Sequence, residues 1–163
     1  MLEYGRVVAA ERRAFHATHA RDGAVWNFPI GRIGRVSLRI LLREGFEGAT
    51  IALTDRFFYP DTVDRTKLTF ALSLDREGRL GEQWILKKGR WYTLRLEWQV
   101  EQKPPRDRWP GECQVFVDDQ PALTLPQGHR AKAGLCYLRL HSTAPQIDSA
   151  GFLVEYVAAD IED

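Results

Sequence analysis

Five side chains able to bind an acidic group or to move a proton recur at alternating positions in three segments. They are Arg39, Arg95, Tyr137, Arg139 and His141. A guanidinium pairs with both oxygens of a carboxylate, a tyrosine ring offers a stacking surface, and a histidine exchanges a proton near neutral pH. If the three segments lie side by side, we expect these residues to bind an acidic sugar, with Trp109 closing one end from a proline-rich loop.

The segments that contain these residues alternate apolar and polar side chains with a period of two, which predicts strands with one buried face. Along the whole chain, the clearest segments with this alternation are 36–42, 68–74 and 91–98. Shorter predicted strands lie at 4–9, 14–18, 24–28, 49–54, 83–86, 135–141 and 151–158. Short turns rich in Gly and Asp separate them, and no stretch has a convincing long helical period. The sequence therefore predicts an all-β fold, a sandwich of two antiparallel sheets.

Two neighbouring stretches, GRWYTLRLEW at 89–98 and ECQVFVDDQPALTL at 112–125, define the predicted core. The even positions from 92 to 98 and the odd positions from 113 to 117 are apolar, so we expect them to point inward. Asp118 and Asp119 then form a tight turn, because aspartate tolerates turn geometry and bonds its own backbone.

The order of these motifs resembles the second half of a concanavalin A-like (laminin G-like) jelly roll. Such domains show a G-x-W strand followed by a hairpin that ends in Val-Asp-Gly, and Trp91 and Val117-Asp118 match that pattern. Asp119 stands where the family usually has glycine, a departure that affects the turn. The resemblance covers about residues 80–160 by motif and the first half by strand pattern. It implies one jelly-roll domain over 1–163.

A narrower resemblance concerns YLRLHSTAP followed by DSAGFLVEYVAAD near the end of the chain. These stretches are similar to accessory domains of sialidase-like and other secreted bacterial carbohydrate enzymes. The resemblance implies carbohydrate as a ligand and a neighbouring catalytic domain as a partner. We therefore expect a non-catalytic carbohydrate-binding or ancillary module.

Two alternatives to a binding module stay open: a carbohydrate-active enzyme, either a hydrolase or a lyase, and a structural interaction domain. Some jelly rolls are hydrolases that place paired carboxylates at Glu-x-Asp-x-x-Glu, but Glu-x-Asp does not occur in this chain. Others are polysaccharide lyases that use Arg, His, Gln and Tyr on a concave face, which would make His141 or Tyr137 the base. The second alternative is a structural interaction domain, in which exposed aromatic residues such as Phe57 and Trp109 anchor a protein partner.

The overall charge bounds the partners. The formal net charge is +1, so electrostatics gives no reason to expect nucleic acid or an anionic membrane surface. No apolar run approaches the roughly 20 residues of a membrane span, and the first residues lack the apolar centre of a signal peptide. We expect a cytoplasmic chain or one excised from a secreted parent.

Metal and thiol chemistry have weak support. His16 and His19 are three apart, so on a strand they point to opposite faces. Asp55, Asp61 and Asp64 fit no known calcium loop, so we expect turn residues and no cofactor, with calcium left open.

The two cysteines, Cys113 and Cys136, both lie in apolar strand-like runs. We favour free, buried thiols over a disulfide.

Overall fold

The computed structural model describes residues 16–17, 23–57, 65–100, 111–145 and 151–162. Strands make up about 64% of these residues, and one short 3-10 helix spans Arg65–Lys67. The all-β prediction is confirmed. Within the same ranges, no helix is long and apolar enough to cross a membrane. The predicted strand at 4–9 lies outside the described residues, and so do Trp109, Asp61 and Asp64.

Twelve strands are present in the described part of the chain. In chain order they are β1 (His16–Ala17), β2 (Gly23–Gly31), β3 (Ile33–Leu42), β4 (Ala49–Thr54), β5 (Phe70–Leu74), β6 (Arg79–Leu80), β7 (Trp84–Ile85), β8 (Trp91–Gln99), β9 (Glu112–Val117), β10 (Gln120–Pro126), β11 (Leu135–Ser142) and β12 (Phe152–Glu162). A six-stranded sheet has the order β1-β12-β3-β8-β9-β10, and a four-stranded sheet has the order β2-β11-β4-β5. All pairings are antiparallel, and β6 pairs with β7 in a small hairpin.

The core lies between the two large sheets. The even positions of β8 and the odd positions of β9 are buried, as the alternation predicts. Phe28 of the four-stranded sheet meets Trp98 of the six-stranded sheet with ring centroids 5.5 Å apart. The Trp98 indole nitrogen also donates to the carbonyl of Gly31, 3.2 Å away, so its one polar group is paired although the ring is buried.

The β9–β10 hairpin turns at Asp118 and Asp119, as predicted. Both residues have positive φ, 48° and 65°, which is the geometry of a two-residue hairpin turn that matches the twist of the strands. The Asp118 carboxylate accepts a hydrogen bond from the Thr93 amide at 2.9 Å, and the Asp118 amide donates to the Thr93 carbonyl at 2.9 Å. The turn is thereby attached to β8.

A bulge interrupts β12 opposite β3. Glu155 pairs with Arg39 and Ala158 pairs with Ser37, so β12 has one more residue than β3 across this interval. Tyr156 lies in the bulge with φ of 53° and is 64% exposed. A left-handed backbone is uncommon for a large side chain.

Both cysteines are free thiols in this structure. Cys113 is buried on β9 of the six-stranded sheet, whereas Cys136 is half-buried on β11 of the four-stranded sheet. The expected burial is therefore complete for Cys113 and partial for Cys136.

Candidate ligand-binding site

The five residues expected to share one surface lie on two different sheets. Arg39 and Arg95 lie on β3 and β8 of the six-stranded sheet, and Tyr137, Arg139 and His141 lie on β11 of the four-stranded sheet. The expectation that the three strands lie side by side is wrong, because β11 pairs with β2 and β4. The alternation of apolar and polar residues predicts whether a side chain lies on the inner or the outer face of its sheet, but it does not predict which strands pair.

The two arginines of the six-stranded sheet are already matched with carboxylates. Arg39 Nη1 donates to Glu155 Oε1 at 2.5 Å. Arg95 Nε donates to Glu97 Oε1 at 2.8 Å, and its Nη1 pairs with Asp119. An acidic ligand would have to compete with these carboxylates for either guanidinium.

The outer face of the four-stranded sheet is a polar surface that runs along β11. Its members are Gly23, Val25 and Asn27 on β2, Thr50, Ala52 and Thr54 on β4, and Tyr137, Arg139 and His141 on β11. Tyr137 lies directly between Asn27 and Thr54 in the register of the three strands. Three of the five predicted site residues therefore share this face.

Access to this face differs from one end to the other. Arg139 is 5% exposed and His141 is 3% exposed, so little of either side chain is accessible to a ligand in this structure. Thr50, the partner of His141 on β4, is also buried, and its hydroxyl has no hydrogen-bond partner among the described residues. Tyr137 is only half-buried, so the accessible end of the face is the end at Tyr137.

Two aromatic rings, one exposed and one half-buried, lie at that accessible end. Phe57, three residues beyond the end of β4, is 54% exposed, and its ring meets the Tyr137 ring at 6.2 Å between centroids and 66° between planes. Beside it, Asn27 Nδ2 donates to the Cys136 carbonyl at 3.0 Å, which holds the amide in place. Thr54 Oγ1 donates to the Arg56 carbonyl at 2.9 Å and so ties the start of this segment back to β4.

An ion pair lies next to Phe57 along the chain. Arg56 Nε and Nη2 donate to the two Asp55 oxygens, each at 2.8 Å. The Arg56 guanidinium holds the pKa of Asp55 below its ordinary value, against a smaller opposing effect of burial. Arg56 Nη2 also lies 3.1 Å from His129 Nε2. Asp55, a candidate calcium ligand by sequence, thus has its carboxylate occupied by an arginine here.

Sequence reasoning identified part of this site. The sequence predicts Tyr137 as a ligand-binding residue and Phe57 as an exposed aromatic residue. It does not predict Asn27 as a site residue, although Asn27 is the sole asparagine and shares a face of its predicted strand with Val25. The contact between Phe57 and Tyr137 joins residues far apart in the sequence, so no local pattern indicates it.

A concave region lies on the outer face of the six-stranded sheet. It is a groove of about 370 Å³, and its polar lining comes from Arg35, Glu97, Gln99, Glu112, Gln114 and Glu162. Arg35 Nε donates to Asp160 Oδ2 at 2.8 Å at one side of it. Within the described ranges, no group of three His, Cys, Asp or Glu side chains is placed to hold a metal ion.

The two packed antiparallel sheets make the chain a concanavalin A-like jelly roll. Solved structures with this fold include a sialidase, at 13% identity and a TM-score of 0.60, and chicken galectin 2, at 12% identity and a TM-score of 0.57. A variant of congerin II superposes with a TM-score of 0.59 at 6% identity. No protein-family model and no curated protein matches the sequence.

The matched lengths differ among these structures. The alignment covers 83% of this chain and 97% of chicken galectin 2, and 85% of this chain and all of congerin II. It covers 86% of this chain but only 14% of the sialidase. At these identities the likeness concerns the fold, which is shared by a protein of similar size and by a small part of a much larger one.

Proposed function

We propose that this chain is a non-catalytic, lectin-like carbohydrate-binding module. The observation that supports this most directly is the contact between the exposed Phe57 and the half-buried Tyr137 at the accessible end of the four-stranded sheet. The C–H faces of a sugar ring pack on aromatic rings, whose bodies are apolar while the phenol hydroxyl keeps a polar tip.

An exposed polar group next to the rings suits hydroxyl-rich ligands. The Asn27 amide lies beside Tyr137 in the register, is exposed, and is positioned by its hydrogen bond to the Cys136 carbonyl. Thr54, on the other side of Tyr137, is buried and donates to the Arg56 carbonyl. An amide and a phenol can each donate and accept, as sugar hydroxyls require. Arg139 and His141 extend the same face along β11, and their predicted part in binding remains a proposal.

The fold neighbours support the same class of function. Galectins and an agglutinin from chicken liver share the fold over nearly their whole length, and a sialidase contains it within a larger chain. By analogy, we place this module beside a catalytic domain in a carbohydrate-active protein. Low identity makes this an analogy of fold, so the ligand must be identified by experiment.

A glycan array read at high protein concentration tests the proposal, followed by NMR titration with the best binder. We expect a dissociation constant of about 0.1–1 mM, as is usual for a shallow face, which corresponds to about 4–5.5 kcal/mol. Signals of Tyr137, Phe57 and Asn27 should shift, while those of the six-stranded sheet should not. Absence of binding to every glycan, together with association of the module with a neighbouring domain, would favour the structural role.

Matched variants locate the site. Phe57→Ala should weaken binding about three- to tenfold, since one exposed stacking ring contributes on the order of 0.5–1.5 kcal/mol. Tyr156→Ala removes an equally exposed ring from the other sheet and should leave binding unchanged. Equal effects of the two substitutions would contradict this location. Release of an unsaturated sugar from a uronate polymer, detected by ultraviolet absorbance, would instead identify a lyase.

A further inference from the structure

The contact between Arg56 and His129 depends on the charge of the histidine. Arg56 Nη2 lies 3.1 Å from His129 Nε2. A guanidinium has donors and no acceptor, so it can only donate, and Nε2 must accept. Nε2 accepts only when it bears no proton, which means that His129 is neutral in this arrangement. A protonated imidazole would present a second cation to Arg56 at the same distance.

The backbone that carries His129 is tied to the strand preceding Arg56. Its amide donates to the Leu68 carbonyl at 3.1 Å, and the preceding Gly128 amide donates to the Thr69 carbonyl at 2.8 Å. The Thr69 amide in turn donates to the Leu53 carbonyl on β4 at 3.2 Å. A charge on the imidazole can therefore be relieved by rotation of the two side chains but not by displacement of this backbone.

Arg56 directly precedes Phe57, the exposed ring of the proposed ligand site. Among the described residues, the Arg56 side chain contacts the Asp55 carboxylate and the His129 ring, and its backbone carbonyl accepts from Thr54. Loss of the contact with His129 removes one of these restraints from the residue that precedes Phe57. The edge-to-face contact of Phe57 with Tyr137 should then become less populated.

Among the described residues, the other charged and titratable groups near His129 lie on four segments. Asp55 lies beside Arg56 after β4, and a positive charge on His129 would lower the pKa of its carboxyl. Lys67 ends the short helix just before Leu68, and Arg130 follows His129 in its own segment. Cys136 on β11 contacts the Asp55 carbonyl through Sγ at 3.6 Å. Asp55 remains ionised and Cys136 remains protonated between pH 5 and 8, because the pKa of Asp55 is lowered and burial raises that of Cys136.

We infer that protonation of His129 breaks its contact with Arg56 and loosens the Phe57–Tyr137 pair, so that the site binds its ligand more weakly in mildly acidic solution. The statement about ligand binding rests on the proposed function, whereas the statement about the ring pair does not. Histidine is the side chain whose charge changes between pH 5 and 8. Protonated His129 also competes with Arg56 for the Asp55 carboxylate, which adds to the displacement.

The ring pair can be tested without a ligand. We expect the nuclear Overhauser effects between the Phe57 and Tyr137 rings to fall by about twofold or more between pH 8 and pH 5 in the unmodified protein. His129→Gln keeps a neutral side chain with an acceptor oxygen, so the same signals should be equal at both pH values. Arg56→Gln removes the repelled cation and should also abolish the response to pH.

Three results would overturn the inference. These are ring signals that do not change with pH, a His129→Gln variant that responds as the unmodified protein does, and a glycan that binds equally at pH 8 and pH 5. With a glycan identified by the array, the dissociation constant should rise about two- to fivefold at pH 5 and stay constant for His129→Gln. Ring signals that respond in a protein that binds no glycan would refute the proposed function and support the effect of His129 on Phe57.

Discussion

The guanidinium of Arg95 lies over the ring of Phe116, with its carbon 4.3 Å from the ring centroid. The two residues are directly opposite each other on β8 and β9. The same guanidinium donates to Glu97 and pairs with Asp119 in the hairpin turn. Arg95 therefore connects two strands and a turn on the outer face of the six-stranded sheet, and its side chain is only 24% exposed.

Replacement of Arg95 should therefore cost more than a solvated surface position would. We expect Arg95→Ala to lower the free energy of unfolding by about 1–2 kcal/mol, from one cation–π contact and two partly exposed ion pairs. Leu96→Ala, in the core, should cost about 2–5 kcal/mol through lost burial and a cavity. Urea unfolding measures both. Glu112→Ala is the control, because Glu112 is an exposed residue of the adjacent strand β9 and its replacement should cost less than about 0.5 kcal/mol. An equal loss for Arg95→Ala would refute the prediction.

The two aspartates of the hairpin turn should respond differently to glycine. Both substitutions relieve a left-handed backbone. Asp118→Gly also removes the acceptor of the Thr93 amide and the partner of Arg90, so we expect it to be less stable than Asp119→Gly by about 1–2 kcal/mol. Asp119→Gly relieves a left-handed backbone, worth about 1–2 kcal/mol, and loses an exposed ion pair with Arg95. The second variant should therefore stay within about 0.5 kcal/mol of the unmodified protein or exceed it. Thermal and urea unfolding of both variants measures their stabilities. A larger loss of stability for Asp119→Gly than for Asp118→Gly would contradict the prediction.

Burial of Cys113 should make the protein less stable in alkaline solution. Burial, with a smaller contribution from the Glu97 carboxylate, raises the pKa of this thiol from 9.0 to about 12. Above 9.0 the unfolded chain loses the proton while the folded chain keeps it, so folding stability falls as the pH rises toward about 12. At pH 10 the loss should be about 1 kcal/mol. Cys113→Val should lack this part of the dependence, and parallel pH profiles for the two proteins would contradict the assignment.

The two thiols should also differ in reactivity. Cys136 is half-buried and its pKa is raised by burial, with a smaller contribution from Asp55, so a thiol reagent at pH 8 should modify it slowly in the folded protein. Cys113 should react only after unfolding. Mass spectrometry of the intact protein during the reaction should show a single addition of the reagent, at Cys136, before the second addition at Cys113. Simultaneous modification of both residues in the folded state would contradict the burial of Cys113.

Much of the architecture can be predicted from the sequence because the side-chain period of a strand is two. The inward positions of Leu94 and Leu96 and the turn at Asp118 follow from alternation and turn chemistry alone, and the structure confirms them. The outward parity of Arg139 and His141 is also correct. Their burial cannot be predicted in the same way, because an odd or even position indicates the face on which a side chain lies but not whether other residues cover that face.

Two features of the site depend on distant pairing and could not be predicted. Tyr137 pairs with Asn27 on one side and with Thr54 on the other, and nothing within each strand specifies these neighbours. The contact with Phe57 follows only after β11 is placed beside β4. For the same reason, the sequence does not predict that Arg39 and Arg95, although outward as expected, lie on the opposite sheet.

The bulge at Tyr156 has a consequence for chain length. Phe152 and Val154 point inward before it, and the inward positions after it are the odd-numbered ones from 157 to 161. Removal of Tyr156 alone would join these two sets into one unbroken alternation without turning any side chain to the other face. The last strand thus reads as a regular strand into which one residue has been inserted. A chain one residue shorter should fold in the same register, and it would no longer contain the left-handed tyrosine.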